Sequence, residues 1–390
     1  MKKTAALLTL CSFLTGALPV TATELTIATF NVSMEAENYV EKGQPIGPQV
    51  LSERLKQGDN PQIKNIAAII QQVQPDIILL NEFDYIADPQ AGVQLFIDNY
   101  LAKSQQGGKP LDYPYFYYNT VNTGQPSGFD LNNDGKVNTP GEDAWGFGFY
   151  PGQYGMVLLS RFPIHEQQVR TFQHFKWKDM PGHKTTVKAD GSPWFSPDAW
   201  QQMPLSSKSH WDIPLNINGK ILHILASHPT PPVFDGAENR NGNRNHDEVR
   251  FWVDYLSGEE YIYDDKGHQG GYQAKAPFVI LGDLNSSPVE GDAFRDAIKA
   301  LINHPLVNGA PTPSSKGGQL HSNNNPHGAS HTAGWRMRAD YVLPSKAGLR
   351  MKLHESGVFW PAPGEPLHEV VNSRGASSDH RLVWVKLQLE

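Results

Sequence analysis

Residues 278–285 read Phe-Val-Ile-Leu-Gly-Asp-Leu-Asn, an apolar run that ends in a carboxylate and an amide. A short, continuous apolar run is typical of a buried β-strand, so Asp283 and Asn285 lie where this strand ends. The pattern of a polar side chain beside an apolar run recurs at five other places. These are Asn31 after 27–30, Glu82 after 77–81, His228 after 224–227, Asp340 before 341–343, and Asp379 with His380 before 383–389. One such residue usually only starts a turn, but six in one chain indicate a shared site.

The apolar runs alternate along the chain with segments of helical periodicity. Apolar residues recur at helical spacing between residues 63 and 73, and Pro75 then ends that helix. Residues 383–389 alternate between apolar and polar, as a half-exposed strand does. The other predicted helices cover residues 247–256 and 292–302. Strands interleaved with helices predict an α/β layered fold.

We predict one domain over residues 23–390, with insertions at about 119–154 and 171–211. The chain has 35 glycines and 30 prolines among 390 residues, which exceeds average usage and predicts long, shaped loops. We expect the two insertions to be surface excursions that shape a cleft. The aromatic residues of the second insertion either form small satellite cores or stack on bases or touch lipid.

The first 22 residues have the pattern of a secretory signal peptide. Lys2 and Lys3 precede an apolar stretch, and Val20-Thr21-Ala22 is a small-residue cleavage site. The stretch is shorter than a membrane span, so we expect a secreted or periplasmic protein without a transmembrane anchor. Cleavage would remove Cys11, the single cysteine, which excludes thiol catalysis and cysteine-ligated zinc. It would leave 31 basic and 40 acidic residues, a net charge of −9, which weighs against general polyanion binding.

Phosphoester hydrolysis requires the types of residue that the apolar runs present. Hard cations such as Mg²⁺ prefer carboxylate and amide oxygens and leave room for water and phosphate. A histidine held by a buried aspartate is a suitable base near neutral pH. Further histidine and asparagine donors can stabilise charge on the phosphate oxygens.

The ordered set of motifs resembles the endonuclease/exonuclease/phosphatase superfamily, and the resemblance spans residues 25–389. That superfamily includes pancreatic-type deoxyribonuclease, abasic-site endonucleases, neutral sphingomyelinases and inositol polyphosphate 5-phosphatases. It implies an α/β (α+β) fold, a four-layer sandwich of two mixed β-sheets flanked by helices. The motifs are Thr29-Phe30-Asn31, Asn81-Glu82, residues 155–161, Ser227-His228, residues 282–285, residues 338–341 and Ser378-Asp379-His380.

The resemblance also implies a divalent metal site. Glu82 would be the main metal carboxylate, with Asn31 and Asp379 beside it. The ion would be Mg²⁺ or Mn²⁺.

The resemblance also implies roles for the residues that would act on water and on the phosphate. His380, oriented by Asp340, would be the general base that activates water. Asp283 and Asn285 would position the nucleophile and the phosphate, and His228 would donate to the phosphate or to the leaving oxygen. The carboxylate that pairs with the residue equivalent to His228 in the deoxyribonuclease branch has no clear counterpart here.

Five other residues are candidates for contact with the substrate phosphate. Tyr154 lies near the position where the missing carboxylate would fall. Arg244 and His246 belong to a Gly/Asn-rich stretch that could grip a phosphate, or Asn245 could cap a helix that begins at Asp247. The two remaining candidates are Lys208 and His210, in a segment that equally fits a plain strand entrance.

Residues 130–136 match the opening of a calcium-binding loop. Asp130, Asn132 and Asp134 supply oxygens at positions 1, 3 and 5, and Lys136 supplies a backbone carbonyl at position 7. Position 12 is Gly141 instead of glutamate. Structural Ca²⁺ is one interpretation, and an Asn/Asp/Gly-rich turn is the other.

The sequence therefore predicts a secreted, divalent-metal-dependent phosphoesterase that hydrolyses phosphodiesters or phosphomonoesters. The substrate could be nucleic acid, a small phosphoester or a phospholipid head group, and no obligate protein partner is implied. The alternatives are an extracellular DNase or RNase, a sphingomyelinase-like phospholipid hydrolase, and a non-catalytic, calcium-stabilised binding module.

Overall fold

The computed structural model describes residues 22–390. The predicted signal peptide, residues 1–22, lies outside the described residues apart from its last residue. The strands are β1 (Thr23–Met34), β2 (Ile77–Phe83), β3 (Tyr115–Tyr117), β4 (Met156–Ser160), β5 (Arg170–Thr171), β6 (His210–Ile217), β7 (Lys220–Ser227), β8 (Phe278–Asp283), β9 (Asp340–Pro344), β10 (Leu349–Val358) and β11 (Val383–Leu389). They form one sheet of order β10-β11-β1-β2-β4-β3 and another of order β5-β6-β7-β8-β9.

Both sheets are mixed, and each contains one parallel pair at its centre. In the first sheet β1 and β2 run parallel, with Asn31 opposite Asn81, and the other neighbours are antiparallel. In the second sheet β7 and β8 run parallel, and β8 pairs antiparallel with β9 so that Asp283 is opposite Asp340. The carboxyl ends of both parallel pairs therefore carry the polar residues noted in the sequence.

The second sheet separates two hydrophobic cores. Val279 and Leu281 of β8 belong to the core shared with the first sheet, while Ile280 belongs to a second core. This alternation follows from the two-residue period of a strand. Strand β1 contacts β8 and β9, so the sheets pack face to face, as the resemblance to the superfamily implied.

Helices cover the outer faces of both sheets, which completes the predicted four-layer α/β sandwich. Helix α2 buries Ile63, Ile66 and Ile70 in the core of the first sheet, and α5 and α6 pack on the second core. The helices are α1 (Pro48–Gln57), α2 (Pro61–Val73), α3 (Val93–Phe96, continued by a π-helical turn over Ile97–Leu101), α4 (Pro197–Gln202), α5 (Arg240–Leu256), α6 (Arg295–Ile302) and α7 (Lys316–His321). Across residues 22–390, none is both long enough and apolar enough to cross a membrane.

Helix α5 begins seven residues before the predicted start at Asp247. The prediction that Asn245 caps this helix is therefore wrong, since Asn245 lies inside the helix and donates to the carbonyl of Leu284 at 3.1 Å. The capping acceptor is instead the carboxylate of Asp235, which accepts hydrogen bonds from the amides of Asn241 and Gly242.

Candidate active site

The polar residues at the strand ends meet where the two sheets face each other. Asn31 and Glu82 come from the first sheet, and Asp283 and Asp340 come from the second. The Nδ2 of Asn31 donates to the Oδ2 of Asp283 at 3.2 Å, which joins the two sheets across 252 residues of sequence. Asn31, Asp283 and Asp340 are each at most 1% exposed, so the network lies in the sandwich interior.

His380 is held between two aspartates. Its Nδ1 lies 2.9 Å from the Oδ2 of Asp340, and its Nε2 lies 3.5 Å from the Oδ2 of Asp283. Thr332 donates to the same Asp340 oxygen at 2.7 Å and accepts from the Asp340 amide at 3.1 Å. The carboxylate and the ring are therefore fixed, and the Nε2 faces the rest of the site.

The electrostatics of this cluster follow from burial and close charges. Burial opposes the charged form of His380, but the Asp340 and Asp283 carboxylates outweigh it and raise the pKa of the ring. Burial likewise opposes ionisation of Asp283, yet His380 and His228 hold the pKa of this carboxyl below its usual range. The cluster therefore stabilises an ionised Asp283 and the imidazolium form of His380, the form that the ring reaches when it takes up a proton.

His228 completes the group on the other side of Asp283. Its Nε2 lies 3.4 Å from the Oδ2 of Asp283, and burial, helped by Lys208, lowers the pKa of its ring despite the nearby carboxylate. Asn285 donates its backbone amide to Asp283 at 3.0 Å and its side-chain amide to the carbonyl of Pro229 at 3.1 Å. His228 and Asn285 are thereby both tied to the carboxylate that faces His380.

Several buried polar atoms at this site have no hydrogen-bond partner among the described residues. They are the Nδ2 of Asn81, the Nδ1 of His228 and the Oδ1 of Asp340. Buried polar atoms are nearly always satisfied in folded proteins, so three in one place indicate a site that takes a ligand.

Two groups of residues fit a divalent cation by their chemistry. One ligand atom each from Asp283, Asp340 and His380 lies within 4.8 Å of the others. The half-buried carboxylates of Glu82 and Asp379 line the same cavity and are hard oxygen donors of the kind that Mg²⁺ and Mn²⁺ prefer. In the first group the Nδ1 of His380 is already engaged by Asp340.

Four residues around the site, none of them glycine, have a left-handed backbone conformation. Ser33, Glu82, Tyr154 and Asn285 have φ of 48°, 55°, 57° and 49°, which costs a residue other than glycine roughly 1 kcal/mol. Strain of this kind persists at functional sites when the surrounding structure enforces it. At Glu82 it occurs within the last two residues of β2, directly beside the cavity.

A cavity of about 900 Å³ opens onto this cluster. Its walls include residues from both segments predicted as insertions, among them Tyr154 from 119–154 and Lys208 from 171–211. Glu82, Asp379 and His380 border the same space. The reactive groups are thus reached through one cavity.

Lys208 is a buried cation on the wall of this cavity. It is 5% exposed, and among the described side chains none accepts a hydrogen bond from its ammonium or forms an ion pair with it. Burial lowers the pKa of Lys208, while the more distant charges of Glu248, Glu82 and Asp283 oppose that shift. The backbone beside Lys208 is fixed, because the Glu248 carboxylate accepts from the amide and the hydroxyl of Ser207 at 2.5 and 2.9 Å.

Two of the predicted phosphate contacts have their ring nitrogens engaged by other groups of the protein. His210 is buried, with its Nδ1 2.6 Å from the Ser206 hydroxyl and its Nε2 2.8 Å from the carbonyl of Glu248. His246 has both ring nitrogens beside carboxylates, Asp247 at 2.7 Å and Asp296 at 3.0 Å. Neither ring has a free nitrogen to offer a phosphate, so both histidines are structural.

The other predicted phosphate contacts lie on the cavity wall but differ in availability. Arg244 donates from its Nε and Nη2 to the carbonyls of Leu205, Pro204 and Ser206, so much of its guanidinium is committed to the backbone. The Tyr154 hydroxyl donates to Glu37 at 3.2 Å. Lys208 is the candidate whose charge stays available.

The predicted calcium loop turns its carboxylates inward. The two oxygens of Asp130 accept from the amides of Asp134 and Gly135, and Asn132 also accepts from the Asp134 amide. Lys136 donates its amide to Asp134 at 2.8 Å. Both interpretations of the sequence fit this geometry, so calcium binding stays a prediction.

Sequence reasoning missed several residues that hold the site together. Thr332 supports Asp340, Glu248 fixes the segment beside Lys208, and the Nη1 of Arg374 lies 3.7 Å from the Oδ2 of Asp379. None has a motif of its own. Asn81 belongs to the Asn81-Glu82 motif but has no predicted role, and its Oδ1 accepts from the Asp283 amide at 3.3 Å.

Comparisons with known proteins agree with this geometry. The sequence profile of the Endonuclease/Exonuclease/phosphatase family matches residues 28–380, whereas no curated protein gives a significant sequence match. An endonuclease/exonuclease/phosphatase from Beutenbergia cavernae has a similar structure, with a TM-score of 0.50 and 17% identity over 94% of this chain and 72% of that chain.

Two further solved structures cover 94% of this chain. The human Nocturnin catalytic domain has a TM-score of 0.45 and 15% identity, with 95% of its own chain covered. Sphingomyelinase C from Streptomyces griseocarneus has a TM-score of 0.42 and 16% identity, with 100% of its chain covered. Because the family profile matches most of the sequence, this chain belongs to the endonuclease/exonuclease/phosphatase family, whose members are hydrolases that act on phosphate esters.

Proposed function

We propose that the protein is an exported hydrolase that cleaves a phosphodiester or phosphomonoester with water activated by His380. The observation that carries the proposal is the pairing of His380 with buried Asp340, its other ring nitrogen 3.5 Å from Asp283. A non-catalytic binding module would have no need for this arrangement.

The geometry of His380 suits a general base. The Oδ2 of Asp340 holds the Nδ1–H of the ring, so the Nε2 is the nitrogen that takes a proton from water. The carboxylate that holds the ring also stabilises the imidazolium formed by that transfer. Asp283, 3.5 Å from the Nε2, can accept the second hydrogen of the same water and thereby orient it.

The phosphate would be held by groups around Asp283. Lys208 supplies a positive charge at the cavity wall, and His228 and Asn285 supply polar groups beside it. The ammonium of Lys208 can neutralise charge on the phosphoryl oxygens as the transition state forms, and the side-chain amide of Asn285 can donate to one of them. The buried Nδ1 of His228 lacks a partner among the described residues, so a bound hydroxyl or protonated oxygen would satisfy it.

A divalent cation, Mg²⁺ or Mn²⁺, would be held by Glu82, Asn31 and Asp379. Such an ion polarises a phosphoryl oxygen and offsets negative charge. The residues fit it, because Glu82 and Asp379 are oxygen donors that border the cavity. Ser33 orders this side of the site, since its hydroxyl donates to Asp379 at 3.3 Å.

Hydrolysis of bis-p-nitrophenyl phosphate and p-nitrophenyl phosphate, with Mg²⁺ or Mn²⁺ and with EDTA, tests the proposal. We expect metal-dependent release of nitrophenol that His380→Ala reduces by about a thousandfold or more. His174→Ala is the matched control, since His174 is exposed and lies outside the cavity. Near-normal turnover by His380→Ala would remove this residue from the chemistry.

Export of the protein through a cleaved signal peptide is tested separately. If the full chain is expressed in a bacterium that exports proteins, we expect the purified protein to begin at Thr23. Mass spectrometry of the intact protein measures this, and a protein that retains residues 1–22 would contradict export through a cleaved signal peptide.

A further inference from the structure

The cavity has an apolar part in addition to its polar floor. Six residues, which we call the apolar compartment, form it: Leu131, Phe147, Trp177, Phe195, Met203 and Phe234. They come from both insertions and from the loop that follows β7. The same cavity holds Lys208 and His380, so one ligand can contact both parts.

The compartment is graded from a buried floor to an exposed rim. Trp177 is 0% exposed and Met203 is 2% exposed, whereas Phe147 is 49% and Phe234 is 87% exposed. The floor is rigid, because the Nε1 of Trp177 donates to Asp247 at 2.7 Å and its ring packs on Phe195. The floor is therefore preformed, and its rim exposes aromatic rings to solvent.

Phe234 is unusual in two independent ways. Its backbone has a φ of 66°, a left-handed conformation that is rare for a bulky side chain. Its ring is almost entirely exposed, although burying a phenylalanine ring away from water lowers the free energy of the protein. Strained backbone that presents an apolar ring at a cavity mouth is expected where the ring contacts a ligand.

The charges around the cavity do not suit a polynucleotide. Of its five lysines and arginines, Arg240 is 3.7 Å from Glu142, Arg374 is 3.7 Å from Asp379, and Arg244 donates to backbone carbonyls. Among the residues that the structure describes at this cavity, only Lys208 and Arg336 form no ion pair and are not held by several carbonyls, and two such residues do not make a basic stripe. A nucleic-acid groove needs free basic residues along its length. The volume of about 900 Å³ instead falls within the range of small-molecule pockets.

We infer that the substrate is a small phosphoester with an apolar, ring-sized organic group, which the apolar compartment binds while the phosphate reaches Lys208 and His380. The inference rests on the proposed function and adds the substrate class. It predicts that duplex DNA and RNA are poorer substrates than such an ester.

A pair of diesters with one leaving group tests the inference. The kcat/KM of phenyl p-nitrophenyl phosphate is compared with that of methyl p-nitrophenyl phosphate, and plasmid DNA is assayed per phosphate under the same conditions. We expect the wild-type protein to prefer the phenyl ester by about tenfold. Phe234→Ala should reduce this preference about fivefold. Leu320→Ala, which truncates a 57% exposed leucine outside the cavity, should leave the preference unchanged.

The inference is overturned if the wild-type protein treats both esters alike, if Phe234→Ala leaves the preference intact, or if plasmid DNA is the better substrate. If neither ester is hydrolysed, the proposed function fails. Calorimetry of phosphonate binding then tests whether the apolar compartment binds a ring-sized group. Tighter binding of phenylphosphonate than of methylphosphonate would support it, and equal binding would overturn it.

Discussion

The Nδ1 of His380 lies 2.9 Å from the Oδ2 of Asp340, and that oxygen also accepts a hydrogen bond from Thr332. The two partners are 40 residues apart in the sequence. Asp340 is 0% exposed, so water cannot replace its carboxylate as the partner of the ring. Asp340 is therefore the hydrogen-bond partner that fixes the Nδ1 side of the His380 ring.

Asp340→Asn should preserve the fold and remove most of the activity. The amide has nearly the size of the carboxylate but cannot stabilise an imidazolium, and it can hold the ring in the wrong tautomer. We expect kcat for a nitrophenyl phosphodiester to fall about a thousandfold, with a melting temperature close to that of the wild-type protein. A kcat within a factor of ten of the wild-type value would show that Asp340 is not the partner that activates His380.

Lys208→Met should separate activity from stability. The substitution keeps the length of the side chain and removes a buried charge that no described residue pairs directly, so the free energy of unfolding should stay equal or rise by about 1 kcal/mol. The kcat/KM should fall about a hundredfold, as when a transition-state donor is lost. Urea denaturation and steady-state kinetics measure the two effects. Lys188→Met, at an exposed site in the same insertion, is the control, and a loss of stability with normal kinetics would contradict the assignment.

The fold could be predicted from residues 77–80 and 279–281 because central strands are buried on both faces and so have continuous apolar runs. The order of the strands could not be predicted, since pairing depends on contacts between distant segments. The start of α5 was missed because residues 240–245 contain one glycine and three asparagines, which are poor helix formers. Asp235 and the backbone contacts of Arg244 stabilise that first part of the helix, and neither contact has a sequence signature.

The site was predictable where the reactive residues lie next to strands, as Asp283 and His380 do. It was not predictable where a polar residue satisfies a distant backbone group. His210 has the residue type of a phosphate donor, and only the tertiary structure places its Nε2 against the carbonyl of Glu248, 38 residues away. Sequence alone cannot distinguish a histidine that hydrogen-bonds a buried backbone carbonyl from one that contacts the substrate phosphate.

Glu82→Gln should weaken metal binding without unfolding the protein. The carboxylate is half-buried beside the cavity, and its replacement removes the charge while keeping an oxygen ligand. We expect about tenfold or greater loss of affinity for Mg²⁺ or Mn²⁺, measured by calorimetry and by the metal concentration that gives half-maximal activity. Glu166→Gln, at an exposed position away from the cavity, should change neither value. Unaltered metal affinity in Glu82→Gln would assign the metal to other ligands.

His210 should make the protein less stable as the pH falls below neutrality. Burial lowers the pKa of its ring to about 4, although the carbonyl of Glu248 favours the charged form. An unfolded chain binds this proton near pH 6.5, so between about pH 6.5 and 4 the unfolded state holds more protons and stability rises with pH. The loss on acidification reaches about 3 kcal/mol by pH 4.

Urea denaturation at pH 7, 5.5 and 4.5 measures this dependence, and the slope should be smaller in His210→Asn. Because that variant can also lose packing, the ring itself is followed by NMR in the wild-type protein. We expect the His210 ring to remain neutral down to about pH 5, below the range in which a histidine in water gains its proton. A His210 ring that titrates near pH 6.5 would show that its site is open to water, and the acid lability would then need another source.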